Sequence, residues 1–417
     1  MKLAKMSLVA ALVLGANAYA IDNVKVNGDA RLYYATTDYD DGVDGDLADG
    51  SENGMFDKDA SFANAALNVG LTADLTEGVS AGAKMTAITT LGMEGNLVSG
   101  VWEAGAGAAA VTSDYWFSEA WLAGTAGKTT AKAGRMTLDT PLAFTETWSI
   151  VENTFESIVL INQDIADTTL VGAWIGSSNA GAGAASANGG VGYGSVVSAP
   201  VVGNGDSRFG TFADSGAYTI GAINNSWKPL TAQAWYYEAT SFANAIWAQA
   251  DLDMEGILAG VQYATLDLSA PNTDKGDALA AMLGYAMKDV ATIKVAYSTV
   301  DEKQGAGQNM AGAQTKMYTE MWWNYGNVVE AGADTIAVTA EGTVADIDLF
   351  AGYYMADIDV QGNANDYEVT EVTLSAGKDF GPLNAALVLI MDEYSYTPAA
   401  MPTEETTHLQ VYLTYNF

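Results

Sequence analysis

The sequence predicts an all-β fold: a transmembrane antiparallel β-barrel of about 18 strands, with short periplasmic turns and long outer loops. Three observations carry this. The chain ends on a strand whose alternate residues Leu409, Val411, Leu413, Tyr415 and Phe417 are all apolar, while His408, Gln410, Tyr412, Thr414 and Asn416 are polar or amphipathic. Side chains of a strand alternate between two faces, so one face is wholly apolar to the last residue. An edge strand of a soluble sandwich is the alternative for that stretch alone. Second, the chain starts with an export pattern. Lys2 and Lys5 precede an apolar run, and Ala18-Tyr19-Ala20 is a small-residue cleavage site, so 1–20 reads as a signal peptide and 21–417 as the barrel. Third, strand–turn segments recur down the whole chain, and tight turns alternate with long loops.

The first strand, Val24 to Thr37, puts Val26, Ala30, Leu32 and Tyr34 on one face and Asn27, Asp29, Arg31 and Tyr33 on the other. A water-filled barrel needs that arrangement, apolar outside and charged inside. An acidic loop, Asp38 to Lys58, follows. Ser61–Leu75 turns at Glu77-Gly78 into Val79–Thr90, which carries Lys84 on its polar face. A Gly/Ala loop leads to Tyr115–Gly124, and a turn at Gly127-Lys128 leads to Thr129–Met136. Thr137–Phe155 breaks the alternation and is the third long connection. Glu156–Asn162 and Thr168–Gly176 form the next hairpin, and Ser177–Ser215 reads as a long Gly/Ala/Ser loop. Later hairpins join Gly216–Ile223 to Thr231–Glu238, Ala245–Leu252 to Ile257–Leu266, and Asp277–Met287 to Val290–Val300. Asp334–Glu341, Ala345–Ala356, Tyr367–Lys378 and Pro382–Asp392 precede the terminal strand. Thr315–Asn324 is one strand too many. With both termini on one side the number must be even. Counting back from Phe417 makes Gly342-Thr343-Val344 a tight turn and leaves Thr315–Asn324 as a folded segment inside an outer loop, 301–333.

Composition narrows the function classes. The chain has 17 Lys+Arg against 51 Asp+Glu, which argues against a nucleic-acid binder. Yet 49% of residues are hydrophobic, enough to exclude a disordered acidic chain. There is no Cys and one His, His408, so thiolate or His-cluster metal sites and most His-dependent catalytic triads are excluded. No enzyme is expected. No apolar run after residue 20 is long enough for a helical span.

The third connection holds the strongest functional candidates. A loop folded into a pore places its charges where low-dielectric walls focus the field. Asp139, Glu146, Glu152 and Glu156 are expected there, facing wall bases Arg31, Lys84, Lys132 and Arg135. Strict alternation from Lys132 turns Arg135 outward unless Gly134 forms a bulge. Opposed charge rows give charge selectivity, and the acidic balance favours cations. No cofactor is expected. Asp38, Asp40, Asp41, Asp44 and Asp46 are oxygen ligands suited to Ca2+, but no Glu stands at an EF-hand twelfth position.

Several stretches carry a family likeness: Gly134-Arg135 leading into Leu138-Asp139-Thr140-Pro141, then Asn153-Thr154-Phe155-Glu156, Asp167-Thr168-Thr169-Leu170, and Thr315-Lys316-Met317-Tyr318-Thr319-Glu320 with Trp322-Trp323-Asn324. With the two ends, they resemble the major outer-membrane porins of Campylobacter-type bacteria and, more distantly, OprD-type porins. The outer loops do not match. The resemblance implies a homotrimeric, eighteen-stranded passive channel for small hydrophilic solutes, whose third loop narrows the lumen. Its partners would be outer-membrane lipid and lipopolysaccharide, and the barrel-assembly machinery through Tyr415 and Phe417. A surface or adhesin-type barrel is the alternative function.

Overall fold

The computed structural model describes residues 22–39, 54–94, 96–98, 113–147, 150–179, 209–211, 215–271, 273–312, 314–359, 366–397 and 403–417. The expected signal peptide and most of the acidic stretch Asp38–Asp57 lie outside them, as does most of the Gly/Ala/Ser loop.

Eighteen antiparallel strands form the wall. They are β1 (Asp22–Tyr39), β2 (Ser61–Thr76), β3 (Val79–Thr89), β4 (Ser113–Ala126), β5 (Thr129–Met136) and β6 (Phe155–Asn162). Then come β7 (Thr168–Ser178), β8 (Ala217–Asn224), β9 (Leu230–Ala239), β10 (Ala243–Met254), β11 (Ile257–Leu268) and β12 (Lys275–Met287). The last six are β13 (Ala291–Val300), β14 (Ala333–Val344), β15 (Ile347–Ile358), β16 (Asp366–Phe380), β17 (Leu383–Thr397) and β18 (Glu404–Asn416). Each pairs with its sequence neighbour, and β1 closes on β18 from Asp29–Asn416 to Tyr39–Thr406. A closed barrel leaves no unpaired edge in an apolar medium.

The alternation sorts side chains as the sequence requires. On β13, Ile293, Val295 and Tyr297 are 43–49% exposed, while Ala296 and Ser298 are buried against the interior. Leu67, Leu122, Ile158, Leu160, Ile220, Val261, Leu283 and Val338 continue the exposed apolar belt around the wall. Tyr263 and Tyr297 donate their hydroxyls to Asp277 and Asp334 near the long-loop end, as interfacial tyrosines do. No helix among the described residues is long and apolar enough to cross a membrane; the strands do that work.

At one end the connections are short, and the first and last described residues, Asp22 and Phe417, lie there. Glu255-Gly256 and Ala345-Asp346 take positive φ at both positions, the turn whose twist suits a two-residue hairpin. This corrects the expected turn at Gly342-Thr343-Val344. Gly342 stays in the strand opposite Leu349, and a Cβ there would stand 2.6 Å from the Val290 carbonyl oxygen. That glycine marks a close approach, and the turn falls three residues later.

Gly28 is a second close approach. It exchanges backbone hydrogen bonds of 2.9 Å with Phe417, and an added Cβ would meet the Phe417 ring at 2.6 Å. Gly28→Val therefore wedges the seam that closes the barrel. We expect a stability loss of about 1–3 kcal/mol, the usual cost of overpacking. A lowered urea midpoint for the folded barrel checks it; an unchanged midpoint refutes it.

Candidate functional site

Two of the long connections turn into the lumen, and their contacts define a constriction. The first is the third connection. It opens with a small hairpin, Asp139–Thr140 paired to Ala143–Phe144, turning at Pro141-Leu142. The missing N–H of Pro141 suits a turn, and the Leu142 N–H donates to the Tyr237 hydroxyl on the β9 inner face at 3.2 Å. The chain then returns along β1 and β3. There Glu152 accepts from Arg31 at 2.9 Å and from Lys84 at 3.1 Å. Arg31 also holds Asp29 at 2.6 Å. Burial acts to raise the Glu152 carboxyl, but Lys84 and Arg31 outweigh it and hold the group below its usual value. The clamp is therefore present at neutral pH and lost as pH falls below the ordinary carboxylate range.

The other expected residues take different positions. Glu146 is 8% exposed and accepts from the Asn309 side chain at 3.0 Å and the Gln314 N–H at 2.7 Å, so it is a seam residue between the two inward loops. Asp139 is well exposed and pairs with Lys316. Lys132 lies 4.2 Å from the Trp121 ring centroid, and Trp121 in turn donates to Glu119 at 3.2 Å. Glu156 belongs to β6, not to the loop, and pairs with Arg135 at 2.7 Å. Gly134 has φ 124°, but the register through β5 does not slip. Arg135 and Glu156 therefore share the face of Ala133 and the exposed Ile158, on the outside of the wall and away from the Glu152 clamp. Phe209 covers the Arg135 guanidinium at 3.7 Å.

The second inward element is the connection between β13 and β14, residues 301–332. Its 315–324 segment is a folded piece inside the loop, as parity requires. It crosses the lumen on a chain of anchors. Gln262 on β11 donates to the Lys316 carbonyl at 2.7 Å and accepts from the Tyr318 N–H at 2.9 Å. Tyr318 donates its hydroxyl to Asp251 on β10, and Thr319 bonds Ser298 on β13 at 2.6 Å. On the far wall, Glu371 of β16 is fully buried. It accepts the consecutive N–H groups of Trp322, Trp323 and Asn324 at 2.8, 3.1 and 2.9 Å, with the Thr373 hydroxyl at 2.7 Å. Three converging N–H groups form an anion nest. Trp322 also donates its ring N–H to Gln410 at 3.1 Å.

The loops are zipped together. The Met310 N–H donates to the Leu142 carbonyl at 2.8 Å, and Asn309 bridges the Phe144 backbone in both directions at 3.2 and 2.9 Å. Glu320 sits beside this seam and accepts the Thr315 N–H at 2.9 Å. Burial pushes its carboxyl up to about 8; Glu146 adds to the rise, while the Thr315 N–H and Lys316 oppose it. A carboxyl raised in this way stabilises the seam fully below about 4.5, and the contribution is gone once pH rises through 8. Exchange of the 309–316 amides, corrected for intrinsic rate, should accelerate between pH 7 and 9 in the natural protein and not in Glu320→Gln. Identical profiles would refute it.

Below the crossing segment, toward the short turns, lies a cavity of about 1180 Å3. Asp289, Glu320, Glu341 and Asp348 line it beside Trp322 and Phe350, and no Lys or Arg is among its described lining residues. Among the described residues no cluster suited to hold a metal ion gathers.

Sequence reasoning missed most of the anchors. Glu371 had one usable sign, a lone acid on the inner register of a strand whose partners Val372 and Leu374 point out. His408 was expected to stand without catalytic company; the structure gives it Asp392 at 3.1 Å, beneath the Trp323 ring.

No known family profile matches this chain, and no curated protein matches it. Solved structures do. Pseudomonas aeruginosa OccK3 (OpdO) has 12% identity, with 97% of this chain and 99% of that one covered at a TM-score of 0.69. P. aeruginosa OpdK, solved with vanillate, has 12% identity over 95% and 99% at 0.71. Acinetobacter baumannii OccAB3 has 13% identity over 95% and 100% at 0.68. At such identities the likeness is one of architecture: this chain has the eighteen-stranded barrel fold of the OprD/Occ-type porins.

Proposed function

We propose that the protein is an outer-membrane porin: a passive, water-filled, cation-preferring channel for small hydrophilic solutes. The observation that carries this is the clamped Glu152, which fixes a charged loop across the interior of an apolar-belted barrel. The cavity beneath the second inward loop supports the preference for cations: Asp289 and Asp348 line it, Glu341 there is paired with Lys294, and no Lys or Arg is among its described lining residues. Assembly as a homotrimer, insertion through the barrel-assembly machinery by way of Tyr415 and Phe417, and contact with lipopolysaccharide follow the Campylobacter-type resemblance. Export by the signal peptide at 1–20 follows from the basic start, apolar run and Ala18-Tyr19-Ala20 pattern. Ca2+ on the acidic stretch from Asp38 to Asp46 is a lesser expectation. The reading as a surface or adhesin-type barrel has no observation of its own in its favour, and catalysis has none.

Liposome swelling tests the channel. Vesicles holding the folded protein should swell in isosmotic arabinose or glycine and respond slowly to stachyose. No swelling in any solute would leave a closed structural barrel and sink the proposal.

A further inference from the structure

The single histidine of the chain lies under the tip of the inward loop 301–332. His408 is 6% exposed and sits on the inner face of β18. Its Nδ1 lies 2.9 Å from the Thr37 hydroxyl on β1. Its Nε2 lies 3.1 Å from Asp392 Oδ1 on β17 and 3.0 Å from the Thr406 hydroxyl. The Trp323 ring of the loop packs over the imidazole, with centroids 4.4 Å apart and planes at 32°. The other Asp392 oxygen accepts the Asn324 side-chain amide at 3.2 Å, and the same amide reaches Glu371 at 3.2 Å. Two buried carboxylates therefore share one loop amide. The titratable groups around them are His408 itself, Tyr394, which donates to Asn324 at 2.7 Å, and Glu404 farther out on β18. No Lys or Arg is among the described hydrogen-bond or ion-pair partners of Asp392, Glu371 or His408.

From this geometry we infer that His408 is a positioning residue that makes the inward loop a proton-responsive constriction, held more firmly in acid than at neutral pH. The inference rests on the channel reading above. A neutral ring satisfies its neighbours: Nε2–H donates to Asp392, and Nδ1 accepts from Thr37. A proton on Nδ1 turns that bond around, with Thr37 accepting, and adds a positive charge beside a buried carboxylate pair. The Asp392 bond becomes charge-assisted on both sides. The Trp323 face then meets a cation instead of a neutral ring. The second change draws the 322–324 tip onto the wall; the first, between two wall residues, holds the ring in place beneath Trp323.

Single-channel recordings of the full protein at pH 7.5 and pH 5 test this, in bilayers with symmetric KCl. The natural protein should conduct at both, with excursions from the main conductance level at least roughly threefold rarer at pH 5, the change one cation–π contact brings. Glu320→Gln removes the seam's own change in stability between about 4.5 and 8 and should keep the part of the acid response that His408 supplies. His408→Asn keeps a donor for Asp392 but carries no titrating proton, so adding it to Glu320→Gln should make the excursions pH-independent over this range. Exchange of the Trp323 and Asn324 amides, corrected for intrinsic rate, gives a second reading that does not need conduction. Equal behaviour of Glu320→Gln at the two pH values, or an undiminished response when His408→Asn is added to it, overturns the inference while leaving the channel intact. Absence of conduction at both pH values would instead fail the channel reading.

Discussion

Glu371→Ala should release the loop 301–332 from the far wall and raise both the mean conductance and its noise. Glu371 is the hub of that contact: three loop N–H groups, one loop amide and Thr373 all converge on one buried carboxylate. Removing it leaves those donors without an acceptor in a pocket from which bulk water is excluded. An unsatisfied buried donor costs about 1–3 kcal/mol, and lumen water can reclaim part of it. We therefore expect about 2–4 kcal/mol lost from the docked loop, enough to leave it undocked for much of the time. Glu371→Gln retains one acceptor oxygen and should fall between. The barrel itself should persist, because its ladder does not pass through this side chain. A conductance unchanged from the natural protein would mean the loop is held without Glu371 and would overturn the anchoring role.

Glu152→Gln should shift ion selectivity more than any other single change in the third connection. In the natural protein Glu152 neutralises Arg31 and Lys84 at 2.9 and 3.1 Å. The neutral amide leaves two cations facing the lumen, with Asp29 beside Arg31 and Glu119 opposite Lys84 across the β3–β4 pair. One unit of charge changed within a few ångströms of the passing ion is worth about 1 kcal/mol in a partly screened, water-filled site. That corresponds to roughly a fivefold fall in the cation-to-anion permeability ratio. Asp139→Asn is the informative comparison. That side chain is 90% exposed and bound to Lys316, so its loss should matter less. If the two substitutions shift the reversal potential equally, the clamp has no special electrostatic role.

The wall was legible because its physics is local. Period-two alternation, the positive-φ turns and the parity set by Phe417 together placed the strands, and the misplaced turn at Gly342 came from treating a close-approach glycine as a turn glycine. The broken alternation around Pro141 marked the third connection, and its inward course came from the resemblance to known porins. What its acids touch was not. Glu146 meets Asn309 and Gln314 more than 160 residues away, and Glu371 meets a loop tip some 47 residues before it. Such pairings depend on how two loops fold across a closed ring, and no one-dimensional period records them. Arg135 shows the reverse: strict alternation already pointed it outward, and the register keeps it there despite Gly134.

The most direct test of the central claim is the reversal potential of the purified, folded protein in a planar bilayer under a tenfold KCl gradient. The account predicts discrete conductance steps and a reversal potential biased toward K+, reduced in Glu152→Gln. A folded barrel that gives no steps, or steps with a Cl−-biased reversal potential, would contradict it.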